Sequence, residues 1–259
     1  MDCVELGEMS QKSALFIAIA AVAVVLCVTA VYVLLAPTPA LVGPKTQLNQ
    51  PPDFAIQVDL PPTAISPVRG GVAGLADEDW VGQVSIRTGI PPRVLAAYAG
   101  VAIVKAQMMP ECELGWTTLA GIGLVESDHA RHGGSTVDES GDVNPPIFGP
   151  SLDGNSAAHI PDSDGGEIDS DSDFDRAVGP MQLIPQTWRN WHIDANGDGV
   201  ENPQNIDDSV MATANYLCRA SGDMASREGW RKGIAAYNAS NSYIQSVADA
   251  ANRYRALSK

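Results

Sequence analysis

A single glutamate, Glu126, has a position that favours acid chemistry. It lies near the end of the stretch Gly-Ile-Gly-Leu-Val-Glu-Ser, and Leu119 and Ile122 precede it at spacings that place all three on one helix face. Burial on such a face disfavours the carboxylate, raises the pKa and keeps the group protonated near neutral pH, as a general acid requires. On position alone, however, a glutamate at a helix end is more often a solvated boundary residue.

Two later stretches contain residue types that suit the lining of a sugar cleft. Residues 179–188 have the sequence Gly-Pro-Met-Gln-Leu-Ile-Pro-Gln-Thr-Trp, an apolar turn with one amide and one aromatic side chain. The alternative interpretation is a helix start capped by proline. Residues 236–238 have the sequence Ala-Tyr-Asn and add a second polar and aromatic pair.

In this order along the chain, Glu126-Ser127, the 179–188 stretch and Ala-Tyr-Asn resemble the lytic murein transglycosylases. The resemblance is to the soluble-type B branch, which has a goose-lysozyme-like fold, and it covers about residues 90–250. One departure is Ser240, where related sequences often have glycine after the Tyr-Asn pair.

The resemblance implies one role for each matching position. Glu126 corresponds to the single catalytic acid, and Ser127 is its neighbour in the cleft. The other implied substrate-binding residues form the sugar-contacting turn and the opposite wall: Met181, Gln182, Tyr237 and Asn238.

The implied reaction uses one acid where most glycosidases use two carboxylates. Glu126 would protonate the oxygen between MurNAc and GlcNAc in peptidoglycan, and its carboxylate would then deprotonate the MurNAc 6-hydroxyl. A 1,6-anhydro ring results. Two alternatives stay open: a muramidase that admits water to the same bond, and a non-catalytic wall-binding scaffold.

Residues 194–200 reproduce the first half of an EF-hand loop. Oxygen ligands stand at positions 1, 3 and 5, glycine at 6 and a backbone carbonyl at 7. Position 12 is Asn205 instead of glutamate, so Asp208 is the candidate that closes the loop. The sequence thus predicts a structural Ca²⁺ site, against the alternative of an Asx-rich turn, with these ligands: Asp194, Asn196, Asp198, Val200 and Asp208.

A second cation site is conceivable among closely spaced acids, although such spacing is more typical of a solvated acidic loop. The acids concerned are Asp162, Asp164, Asp169, Asp171, Asp173 and Asp175. The four histidines lack paired metal spacing, so a zinc enzyme is not supported: His129, His132, His159 and His192.

The elements that must position these residues are predominantly helices. Apolar periodicity and proline positions predict helices over residues 77–88, 92–108, 114–127, 185–190, 208–220, 228–237 and 242–257. Residues 138–175 contain eleven acids and no Lys or Arg, which indicates a long loop. The expected fold class is mainly α, and the resemblance implies a lysozyme-like helical domain.

The net charge of −15, with 16 basic against 31 acidic residues, excludes a nucleic-acid partner. Residues 13–36 carry no charge and are long enough to span a membrane, which favours a retained anchor over a cleaved signal peptide. Lys12 before the span favours a cytoplasmic N-terminus. A lipid anchor at Cys27 is not expected, because Val-Val-Leu precedes it.

Four segments are therefore expected: a cytoplasmic tail at 1–12, a transmembrane anchor at 13–36, a Pro-rich spacer at 37–76 and an extracytoplasmic catalytic domain at 77–259. The spacer follows from eight prolines between residues 37 and 67. Cys112 and Cys218 both fall in the exported part, where thiols tend to oxidise, so they are expected to pair. The alternative is two buried free thiols.

Overall fold

A computed structural model of the chain describes residues 53–57, 60–67, 69–155 and 158–259. The predicted cytoplasmic tail and transmembrane anchor lie outside these residues, as does the first part of the predicted spacer. None of the helices in the described residues is both long and apolar enough to cross a membrane.

Seven α-helices dominate the described residues, which confirms a mainly helical fold. They are α1 (Glu78–Thr88), α2 (Pro92–Met108), α3 (Trp116–Ser127), α4 (Pro185–Trp191), α5 (Ile206–Ser221), α6 (Arg227–Tyr237) and α7 (Asn241–Leu257). Short 3₁₀ helices cover Val72–Leu75, Pro110–Cys112 and His132–Gly134.

The acidic region between α3 and α4 contains two small antiparallel sheets. β1 (Thr136–Val137) pairs with β2 (Val143–Asn144), and β3 (Phe148–Ser151) pairs with β4 (Arg176–Val178). These strands have only two to four residues each, so the prediction of a long loop is correct apart from these short pairings.

Side-chain caps mark the starts of α1, α5, α6 and α7. Asp77 accepts a hydrogen bond from Trp80 N at 2.9 Å at the start of α1. Asn205 accepts one from Asp207 N at 3.0 Å, so α5 begins at Ile206, two residues before the predicted start. Each cap satisfies an amide that has no partner within the helix.

Helix α3 lies in the core and packs antiparallel to α7. Its residues Trp116, Leu119 and Ile122 are almost wholly buried. At Gly121 a Cβ atom would lie 2.8 Å from the backbone oxygen of Val247, so glycine permits the close approach of the two helices. The end of α3 is therefore held against the start of α7.

Two of the described residues before residue 77 make polar contacts with the helical domain. Asp53 forms an ion pair with Arg231 at 2.8 Å, and Gln57 Oε1 accepts a hydrogen bond from Gly115 N at 2.7 Å. These contacts lie within one compact unit, Pro51–Lys259. Proline content alone did not reveal these long-range polar contacts.

The predicted disulfide is confirmed. Cys112 and Cys218 are bonded, with 106 residues of sequence separation, and both are buried. The bond joins the 3₁₀ helix before α3 to α5.

Candidate functional site

The site is centred on Glu126 in the last turn of α3. Its side chain is half-buried, and Tyr243 of α7 donates a hydrogen bond from its hydroxyl to Glu126 Oε1 at 2.5 Å. Burial raises the pKa of Glu126 to about 7, while the Tyr243 hydrogen bond acts in the opposite direction. The expected effect of burial on this carboxyl is thus confirmed.

A row of aromatic side chains extends from Glu126. The ring of Tyr243 is parallel to that of Tyr237, with centroids 6.4 Å apart and an interplanar angle of 8°. The ring centroid of Tyr237 lies 6.0 Å from that of Tyr216, which in turn lies 6.3 Å from that of Trp191. We call Trp191, Tyr216, Tyr237 and Tyr243 the aromatic row. Flat aromatic faces of this kind suit the apolar faces of sugar rings.

The turn at residues 179–182 lies against this row. Gly179 has φ 74°, and a Cβ atom there would lie 1.9 Å from a neighbouring backbone oxygen, so only glycine fits. Tyr237 donates a hydrogen bond from its hydroxyl to the Met181 carbonyl. Gln182 Nε2 donates to the Gly179 carbonyl at 2.9 Å. The Met181 side chain is fully buried, so the backbone of this residue, not its side chain, faces the row.

Ser127 connects the end of α3 to this turn. Its hydroxyl donates to the Pro180 carbonyl at 2.6 Å and accepts from Ala130 N at 2.9 Å. Because the side chain is 2% exposed, its hydroxyl is committed to these contacts. Ser127 therefore ties the end of α3 to the 179–182 turn.

Asn238 lies at the junction of α6 and α7. Its side chain is exposed and accepts a hydrogen bond from Ser240 N at 3.0 Å. Ser240 in turn caps α7, accepting from Tyr243 N at 3.5 Å. The structure thus brings Glu126 and Tyr237 together, while Asn238 shapes the turn that leads to Tyr243.

Three members of the aromatic row were absent from the sequence prediction. Tyr243 is 117 residues from Glu126 along the chain, so local spacing gave no indication of their hydrogen bond. Tyr216 falls within a predicted helix and Trp191 directly follows the helix predicted over residues 185–190, but neither matched a motif. The number of aromatic residues in and beside the helices after residue 185 could have indicated such a row.

In the predicted calcium loop, carboxylate oxygens accept hydrogen bonds from backbone amides of the same loop. Asp194 accepts hydrogen bonds from Gly197 N at 2.7 Å and Gly199 N at 2.8 Å. Asp208 accepts from Ala195 N at 2.7 Å, and burial raises its pKa to about 6. Asp208 is thus tied to the loop it was predicted to close. The oxygen-rich residues fit a hard cation by chemistry.

A different set of carboxylates is the most closely gathered in the described residues. Oxygens of Asp162, Asp164 and Asp175 all lie within 4.8 Å of one another, a grouping that could hold a metal ion. Asp175 is fully buried and accepts from Ser163 N at 2.8 Å. Asp194, Asp198 and Asp208 do not form such a group there.

Comparison with known proteins adds no relative. A scan against protein-family models, a search of curated proteins and a search of solved structures each found no match. The functional case therefore rests on the Glu126 carboxyl, the 179–182 turn and the aromatic row.

Proposed function

We propose that the chain is a membrane-anchored peptidoglycan lytic transglycosylase with a lysozyme-like helical domain. The observation that carries this proposal is the half-buried Glu126 carboxyl, whose pKa is raised to about 7. Burial and the Tyr243 hydroxyl are the two influences on that pKa. This supports chemistry with one carboxyl group instead of a pair.

In the proposed reaction, protonated Glu126 gives its proton to the glycosidic oxygen between MurNAc and GlcNAc. The bond from the MurNAc anomeric carbon to that oxygen breaks. The carboxylate left behind then takes the proton of the MurNAc 6-hydroxyl, whose oxygen bonds to the anomeric carbon. The proton count balances, Glu126 is restored, and the product carries a 1,6-anhydro ring without consuming water.

Tyr243 supports both states of the carboxyl. Its hydroxyl donates to Glu126 Oε1, which orients the acid before proton transfer and stabilises the negative charge afterwards. The pKa near 7 matches a group that must act as acid and then as base at neutral pH.

The aromatic row supports a glycan substrate. Tyr243 is buried beside the carboxyl and stacks on Tyr237, and the partly exposed rings of Tyr216 and Trp191 continue the row. A strand of sugars needs several successive contacts of this kind. The proposed partner is accordingly the peptidoglycan glycan strand.

The test is the release of soluble muropeptides from purified sacculi by the full chain in mild detergent. Glu126→Gln keeps shape and removes the transferable proton, so release should fall by about 10²- to 10⁴-fold. Glu111→Gln, an exposed glutamate before α3, is the matched control and should release at the parental rate. Parental release by folded Glu126→Gln would move the active site elsewhere.

The products decide between the alternatives. Mass spectrometry that finds 1,6-anhydro ends supports transglycosylation, whereas reducing MurNAc ends would indicate a hydrolytic muramidase. Sacculus binding without release by the parent chain would indicate the non-catalytic wall-binding scaffold.

We further propose that Ca²⁺ stabilises the 194–208 loop and that residues 13–36 anchor the chain with its domain outside the cytoplasm. The hydrogen bonds that tie Asp208 to Ala195 and Asn202 support a loop held closed at that residue. The uncharged length of 13–36 supports the anchor.

A further inference from the structure

The chain leaves α3 through an unusual turn. Asp128, His129 and Ala130 have φ values of 51°, 59° and 62°, three successive non-glycine residues in the left-handed region. Residues other than glycine rarely adopt this conformation, and it persists only where surrounding contacts determine it. The turn begins two residues after Glu126.

His129 provides contacts that hold the turn. Its side chain is 1% exposed, and its two ring nitrogens lie 3.2 Å from the Tyr98 hydroxyl and 2.7 Å from the Tyr254 hydroxyl. A neutral imidazole has one donor and one acceptor nitrogen, so each hydroxyl can be matched. Tyr98 belongs to α2 and Tyr254 to α7. One side chain therefore joins the turn to two helices.

The last turns of α3 are shaped around this network. At Gly123 a Cβ atom would lie 1.9 Å from the Tyr98 hydroxyl, so glycine leaves the space that the hydroxyl occupies. The His129 amide donates to the Gly123 carbonyl at 2.9 Å, and that bond helps to end the helix. The same contacts that enclose His129 thus determine where α3 stops.

His129 stays neutral at working pH. The pKa of His129 is lowered to about 3, mainly by burial; nearby Arg131 and Arg253 act in the same direction and Asp128 opposes them. The groups that face Glu126 are the hydroxyls of Tyr237 and Tyr243.

We propose that His129 is a positioning residue for the Glu126 carboxyl, acting through the left-handed turn that it fixes between α2 and α7. This inference rests on the proposed function. The turn sets the position of the helix end, and the hydrogen bond from Ser127 to the Pro180 carbonyl links that helix end to the 179–182 turn. A displacement of about 1 Å in a reacting group can cost about 10²-fold in rate.

The test compares His129→Phe with the parent. Phenylalanine retains a buried ring and removes both nitrogens. His132→Phe, at an exposed position, is the matched control. We expect His129→Phe to lower kcat for muropeptide release by about 10- to 100-fold with KM changed less than about 2-fold, because misplacement affects the reacting carboxyl more than the glycan contacts.

A second readout does not depend on activity. The Glu126 carboxyl is titrated by ¹³C NMR of the full chain labelled at glutamate, with Glu126→Gln used to assign the signal. In the parent the pKa is expected near 7, and in His129→Phe it should fall by about one pH unit or more toward 4.5 as water reaches the carboxyl. A purely structural role would lower the melting temperature and leave this titration unchanged.

Tyr254→Phe removes only one of the two hydroxyls that contact His129. It should lower kcat and the pKa of Glu126 as His129→Phe does, but by smaller amounts. If His129→Phe does not fold, Tyr254→Phe tests the positioning role in its place. Folded variants with parental kcat and parental titration would overturn the proposal. A parent that releases no muropeptides, with a titration that still moves in the variants, would refute the enzymatic function and support the positioning role.

Discussion

Replacing Glu126 by glutamine is expected to stabilise the protein above neutral pH. In the folded chain burial raises the pKa of this carboxyl to about 7 from its ordinary value of 4.5. The unfolded chain therefore ionises first as the pH rises, and the folded state loses stability between these two values. A gap of about 2.5 pH units corresponds to about 3 kcal/mol, as an upper figure. Glutamine is neutral at every pH and avoids this cost.

The assay is the melting temperature of the full chain in mild detergent from pH 4 to pH 9. Glu126→Gln should melt close to the parent at pH 4 and up to about 6 to 12 °C above it at pH 8, given about 2 to 4 °C per kcal/mol for a domain of this size. Glu111→Gln should show no such pH-dependent gain. A gain of equal size at every pH, or no gain at pH 8, would refute a destabilising buried carboxyl.

Three further changes test other parts of the structure. Tyr243→Phe removes the hydrogen bond to the Glu126 carboxyl, so muropeptide release should fall about tenfold and the alkaline limb of its pH profile should move to higher pH. Ca²⁺ should raise the melting temperature of the parent and of Asp164→Ala but not of Asp198→Ala, by mass action on the 194–208 loop. Replacing Cys112 and Cys218 by alanine should destabilise the domain by about 4 to 5 kcal/mol in the chain-entropy model, measured by urea unfolding.

Each of these has a contrary outcome. An unchanged pH profile in the tyrosine variant would show that its hydroxyl does not act on the carboxyl. Loss of the calcium response in Asp164→Ala alone would place the cation at the Asp162, Asp164 and Asp175 group. Alkylation of both cysteines in the unreduced protein would show that they are free thiols.

Local sequence signals predicted the helices well where caps and prolines mark their ends. The helix predicted over residues 92–108 is observed as Pro92–Met108, because proline suits the first helical position. Helix α3 was less well defined, since Ala120 and Gly121 are buried along with Leu119 and Ile122. A helix that is buried on all sides has no single apolar stripe for periodicity to detect.

Contacts between distant parts of the chain were not predictable in the same way. The Glu126 and Tyr243 bond and the Asp53 and Arg231 pair span 117 and 178 residues. Composition described the region around Asp53 as a spacer, because proline content reports local stiffness and not which side chains meet a distant partner. The aromatic row was missed for the same reason.

The physical environment of Glu126 differs from that expected of a solvated boundary glutamate. A solvated boundary glutamate would have water around its carboxyl and an ordinary pKa, whereas burial raises the pKa of this one to about 7. The helix end also carries three left-handed residues, an arrangement that costs about 1 to 3 kcal/mol each. Both features destabilise the folded state, and an exposed helix end would need neither. Their coincidence beside a stacked tyrosine pair supports the proposed acid role of Glu126.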